Sequence, residues 1–306
     1  MCAFAVICSR VAETEESTRP ERLFQSPTFR SLRVTVTPTN NERNTRSGLS
    51  ERESRALARL TSQNKEIFEI AELAEALGTT YDSAKTTASR LASNGWLTRL
   101  KPGIYLVVPL AAGENSQYTA HEFYIASHLV EPMYVGFWSA LGFHGFSEQV
   151  PRSVTVATTK RLPDRTVHDV EYHFVTLAER KFFGHEQYAV GGHQVPIATP
   201  EKTLADCADQ PNHCGGVREL AKGIREGADG YDPETLIEYA RRIGNGAAFK
   251  RLVYLMDHYE VPVPDRETVE AEFTAGTSPL DPTRSAKGDY APDYRLYVNI
   301  PDEELP

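Results

Sequence analysis

The sequence is short of several things, and each shortage narrows what the chain is. Among 306 residues there are four cysteines: Cys2, Cys8, Cys207 and Cys214. That is too few for a disulfide framework in a chain this long, and the Cys207–Cys214 spacing matches no common zinc site. The thiols are read as reduced, and no metal is expected. No apolar run approaches the ~18 residues of a spanning helix. The stretch Ala3–Ile7 is too short for a signal-peptide core, and no basic segment precedes it. A soluble, cytoplasmic chain without a membrane partner is therefore expected. There is no GxxxxGK[ST] phosphate loop and no GxSxG elbow. No cofactor and no catalytic residue are assigned. Lysine is scarce, 9 of 33 basic residues, and the net charge is -9. That balance opposes non-specific attraction of nucleic acid to the whole surface. It leaves room for a small basic footprint.

The remaining composition, 40% hydrophobic and 25% charged, is that of a globular chain of one large or two ordinary domains. Residues 1–48 mix Arg, Glu, Thr, Ser, Pro and Asn without a period, and a disordered extension is expected there. Over 49–110 three helices are expected, then a hairpin. Ser50 and Glu53 are spaced as a capping box before Ala56, Leu57 and Leu60. A second helix covers Ile70–Leu77 and stops at Gly78. A third begins after Thr80, repeats Ala84, Ala88 and Leu91 on one face, and ends at Asn94-Gly95. Trp96–Leu100, a Lys-Pro-Gly turn and Ile104–Val108 then read as a β-hairpin.

Three short helices and a hairpin make a winged helix-turn-helix. The third helix turns small residues inward and short polar ones outward. Tyr81, Ser83, Lys85, Thr86, Ser89 and Arg90 are the candidate major-groove residues, and Arg99, Lys101 and Tyr105 the candidate wing. Polar helix faces are also simply solvated, and winged helices also bind proteins.

Residues 111–260 read as an α+β domain, so the fold class is α+β: a winged helix-turn-helix followed by a mixed α/β domain. A helix is expected over 120–130 and a short apolar one over 135–145. Strands are expected at Ser153–Thr158, Val170–Thr176, Gln187–Val190 and Gln194–Ala198, with Gly191-Gly192 as a turn. Helices follow at Pro200–Asp209, Val217–Arg225, Pro233–Ile243 and Ala247–His258. Residues 261–306, acidic and rich in proline, are expected to be a loosely packed tail, with a strand possible over 290–298.

Several residue groups invite chemistry. Pro163-Asp164…Glu171-Tyr172-His173 compares with metal-dependent nucleases of the Pro-Asp…Glu-x-Lys kind. His173 stands where the lysine belongs, and a turn before an ordinary strand explains the same residues. His185, His193, His213 and Cys214 match no standard metal spacing. Ser139 lies on an apolar helix and is read as packing. Lys160, Arg161 and Arg165 form a second basic cluster, and Arg241-Arg242 and Lys250-Arg251 form others, all solvated surface by default.

Two parts of the chain resemble the AbiEi family, the antitoxins and repressors of type IV toxin–antitoxin (abortive infection) systems. One is the winged helix with Lys101-Pro102-Gly103-Ile104-Tyr105. The other is the second domain, at Tyr134–Leu141 with His144-Gly145-Phe146, at Val154–Arg161, and at Val195–Asp206. The resemblance implies a non-enzymatic protein whose winged helix binds inverted repeats in its own promoter as double-stranded DNA; a homodimer is expected there because a palindromic site mirrors a two-fold protein. It implies a second domain that opposes a nucleotidyltransferase-like AbiEii toxin, with or without touching it. Lys160, Arg161, Arg165 and Lys202 are the candidate antitoxin surface. The competing reading is a winged-helix regulator whose second domain senses a ligand or protein and has no toxin partner.

Overall fold

The structure, a computed structural model, describes residues 48–108, 120–149 and 152–306. The expected disordered extension over 1–48 lies outside the described residues, Gly48 excepted. The winged helix forms where the sequence places it. Ser50 caps α1 (Glu51–Ser62): its hydroxyl accepts the Glu53 N–H at 3.4 Å, and the Glu53 carboxylate accepts the Ser50 N–H at 2.9 Å. β1 (Ile67–Glu69), a strand absent from the sequence reading, leads into α2 (Ile70–Leu77). α2 ends on Gly78 at φ 59, a left-handed position that costs glycine least. α3 (Tyr81–Ser93) lays the fully buried Ala84, Ala88 and Leu91 inward. β2 (Leu97–Lys101) and β3 (Ile104–Val107) close the hairpin, and the sheet order is β1-β3-β2.

This small sheet is buried on both faces. Phe68, Leu97, Tyr105 and Val107 point into the winged-helix core. Ile67, Leu100, Ile104 and Leu106 point the other way, into the core of the second unit. Alternate residues of a strand face opposite sides, so the unbroken apolar run Ile104–Val107 is what two buried faces require.

The second unit begins with α4 (Glu122–Leu129), which packs on β2. Next come β4 (Met133–Val135), α5 (Phe137–Phe143), β5 (Ser153–Thr158), β6 (Arg165–Val167), β7 (Val170–Thr176), β8 (His185–Val190) and β9 (His193–Ala198). They form a six-stranded mixed sheet, β6-β7-β5-β4-β9-β8. The apolar run at 135–145 is not one helix. Its first residue completes a strand, and α5 starts only after Gly136. Tyr134 sits opposite Ala157, on the sheet face that reaches α6 (Pro200–Asp209), where its hydroxyl donates to Asp206 at 2.7 Å. Tyr172 points to the other face and donates to the Glu122 carbonyl of α4 at 3.2 Å. The order of layers is thus winged-helix sheet, α4, large sheet, then α6.

α7 (Val217–Glu226), α8 (Pro233–Ile243) and α9 (Gly246–His258) pack around α6. The segment expected as a loose tail is packed instead. It holds α10 (Arg266–Ala271) and a small sheet of β10 (Ser278–Pro279), β11 (Asp289–Ala291) and β12 (Leu296–Val298). Val269, Leu280 and Leu296 are fully buried in the main core. Arg251, expected at the surface, is 2% exposed. Its guanidinium donates to the carbonyls of Ala208 and Leu280, and to Pro279 at 3.3 Å. The composition masks this because a few apolar anchors spread among many Asp and Pro lower the average without losing their core contacts.

Candidate nucleic-acid interface

α3 presents a shallow groove lined by Asp82, Lys85, Thr86, Ser89, Arg90 and Ser93. Its start is fixed by Thr80, whose hydroxyl accepts the Ser83 N–H at 3.4 Å. Tyr81 stands at the first turn, 53% exposed. The hydroxyls of Thr86 and Ser93 donate back to the carbonyls of Asp82 (3.0 Å) and Ser89 (3.1 Å). With their hydrogens so used, these hydroxyls can serve an incoming group only as acceptors. Lys85 and the Ser89 hydroxyl are left as the face's donors.

The cations of this module divide into those already satisfied and those left over. Arg52 donates to the Leu77 and Gly78 carbonyls that end α2. Arg55 pairs with Glu51, and Lys65 with Glu72 at 2.6 Å. Arg90, expected to read the groove, is committed elsewhere. Its guanidinium pairs with Glu53 and donates to the Gly48 carbonyl at 3.0 Å, tying α3 to the start of α1. Burial pushes the Glu53 carboxyl up, but the Ser50 N–H and Arg90 outweigh it, and the pKa is lowered. Lys85 and Arg99 are exposed and have no ion pair among the described residues.

The hairpin's tip is tied down where Gly103 accepts the Ile70 N–H at 3.1 Å. Arg99 is outward on β2. Tyr105 is not: it is 4% exposed and stacked on Phe68, ring centroids 6.3 Å apart, so it belongs to the core and not to a wing surface. The reason is that both faces of β3 are covered, which a tyrosine beside a basic hairpin turn does not show in sequence. Lys101 is half-buried. Burial lowers its pKa, Glu131 opposes this, and Arg165 and Lys160 of the second unit reinforce it. The structure therefore brings Lys101, Lys160 and Arg165 into one electrostatic neighbourhood. Lys160 and Arg161 are exposed and Arg165 half-buried.

Lys202 is not part of that surface. It is fully buried, paired with Asp206, and lies over the Phe183 ring at 4.6 Å. Burial lowers its pKa and raises that of Asp206, each opposed by the partner's charge. With Tyr134 it forms an internal polar knot between β4 and α6. A lysine three positions past a helix-starting Thr-Pro reads as surface, and nothing in the local sequence shows the loop over 179–184 that covers it. Arg241 pairs with Glu272 at 2.8 Å, Arg242 stacks on Phe183 at 3.8 Å, and Lys250 donates to the Gly276 carbonyl, so those basic pairs also hold structure.

The other candidates separate. His185 stacks on Tyr134 and His193 on Tyr124, with centroids 5.2 and 3.6 Å apart. Cys214 is buried. Ser139 accepts the Thr155 N–H at 2.9 Å and pins α5 to β5. Asp164, Glu171 and His173, by contrast, converge at the edge of the large sheet, the one such group of possible metal ligands among the described residues. Among those residues no helix is long and apolar enough to cross a membrane.

Comparison with known proteins agrees on both units. The sequence profile of the AbiEi antitoxin C-terminal domain matches residues 134–258, and that of the transcriptional regulator, AbiEi antitoxin, matches residues 55–108. The crystal structure of the RV2827C protein from Mycobacterium tuberculosis is similar over 81% of this chain and 92% of its own, with a TM-score of 0.59 and 18% identity. At that identity the likeness is one of fold. No curated protein matches the chain. With a regulator match on the winged helix and an antitoxin match on the mixed α/β unit behind it, the chain belongs to the AbiEi family of antitoxins and transcriptional regulators.

Proposed function

We propose that the winged helix binds double-stranded DNA at inverted repeats in the chain's own promoter, as a homodimer, and represses transcription there. The second unit opposes a nucleotidyltransferase-like toxin, and the protein acts without catalysis of its own. One observation carries the DNA reading. Arg52, Arg55, Lys65 and Arg90 are occupied by internal partners, whereas Lys85 on α3 and Arg99 on the hairpin, like Arg59 on α1, are exposed with no ion pair among the described residues. Phosphates are bound by cations that have no better partner, and base edges by short polar groups such as Ser89 and Thr86. Lys101, Lys160, Arg161 and Arg165 would extend the backbone contact beyond the half-site. The matched family supports the antitoxin half, and Lys160, Arg161 and Arg165 are its exposed candidates.

The test is binding of the purified protein to a labelled fragment of its upstream DNA across a salt series. Tight binding with a steep salt slope is expected. Lys85→Ala and Arg99→Ala should each remove about one unit from that slope, as loss of a phosphate contact does. No binding at low salt would refute the DNA reading. A protein with normal DNA binding and no effect on toxicity when co-expressed with the neighbouring toxin would instead favour a plain regulator.

A further inference from the structure

The motif Pro163-Asp164…Glu171-Tyr172-His173 has no part in the proposed interface, yet the fold draws its polar groups together. β6 and β7 form a tight antiparallel pair around His168-Asp169. Arg165 pairs with Tyr172, which brings Asp164 beside His173. A ligand atom of each of Asp164, Glu171 and His173 lies within 4.8 Å of the other two. His173 Nδ1 is 2.7 Å from Asp164 Oδ2, and His173 Nε2 is 3.7 Å from Glu171 Oε2. The second Asp164 oxygen accepts the Phe174 N–H at 3.2 Å, which fixes the carboxylate.

The two ring nitrogens are asked for different things. The short contact to Asp164 makes Nδ1 the nitrogen that carries hydrogen. Nε2 is then the nitrogen left for a second partner, and Glu171 Oε2 lies 3.7 Å from it. A cation about 2.1 Å from each atom fits the gap, at an angle of about 120°. Asp164 then does what an orienting carboxylate does behind a ligating histidine. His213 lies near enough to Asp164 and His173 to interact with both.

We infer that Glu171 and His173 bind a divalent transition-metal cation, with Asp164 orienting the imidazole. A nitrogen and carboxylate donor set with open positions suits Zn²⁺, Ni²⁺ or Mn²⁺ better than Ca²⁺. His173 stands opposite Thr155, on the α6 side of the sheet, while its neighbour Tyr172 reaches α4 on the side of the winged helix. The site is therefore independent of the DNA reading, and either can fail while the other stands.

The experiment is calorimetric titration of the full chain with NiCl₂, and with MnCl₂ followed by electron paramagnetic resonance. One ion per chain is expected. His173→Gln and Glu171→Gln should abolish saturable binding, and Asp164→Asn should weaken it roughly tenfold or more. Long-range nitrogen-15 spectra of the unaltered protein give a readout that needs no variant. The ring-nitrogen signals of His173 should move or broaden when the ion is added. Three results would overturn the inference: no saturable binding at millimolar ion, binding indifferent to His173→Gln, or His173 signals that ignore the ion.

Discussion

Arg90 and Lys85 lie on the same helix with the same charge, and the structure gives them different work. Arg90→Ala removes an ion pair to a largely buried carboxylate and a bond to the Gly48 carbonyl. It should cost about 1 kcal/mol of stability in urea unfolding and leave the DNA salt slope nearly unchanged, the reverse of Lys85→Ala. Glu53 adds a pH signature. Its folded pKa lies below the ordinary 4.5, so its stabilising contribution is complete above that value and fades as pH falls through the folded pKa. Unfolding free energy of the unaltered protein should converge on that of Glu53→Gln in acid and exceed it at neutral pH. Both roles were half-legible in the sequence. The capping box was plain from Ser50 and Glu53, but the partner 37 positions on was not, because pairing between α1 and α3 depends on how the helices cross. Tyr105 and Lys202 are buried for a related reason: exposure of an isolated polar or aromatic residue is decided by elements distant in sequence.

At the scale of elements, patterns that close within one segment were readable and those shared between segments were not. The bounds of α2 and α8 follow from local signals, Gly78 and Gly244 in the left-handed conformation and Asp232-Pro233 at a start. β1 and β6, three residues each, carry too little pattern to be seen alone, and β4 hides in the apolar run that continues as α5. The C-terminal segment departs furthest from its composition. Removal of residues 276–306 strips Arg251 of two of its three carbonyl partners and uncovers the core under Leu280 and Leu296. Each such side chain is worth about 2 kcal/mol on burial. The truncated chain should melt well below the full one, or fail to fold, when followed by circular dichroism. A loose tail would leave the melting temperature unchanged.

At the scale of the whole molecule, the two units share a wall. A fragment of residues 49–110 would expose Ile67, Leu100, Ile104 and Leu106 to water. It should associate on gel filtration and bind a hydrophobic dye, while the full chain does neither; a monomeric, dye-silent fragment would show that the wall is dispensable. The sequence hinted at this in the unbroken apolar run of β3, since an ordinary wing strand needs only one buried face. The doubly covered sheet also has a consequence for how the protein would measure DNA. A reading head on a flexible tether accepts a range of distances between half-sites. A head clamped through its own sheet to the body does not swing, so in a two-fold pair the distance and phase between the two α3 helices become properties of the protein. The operator then acts as a gauge block: insertion of about half a helical turn between the repeats rotates one site out of reach, and no adjustment of the chain restores it.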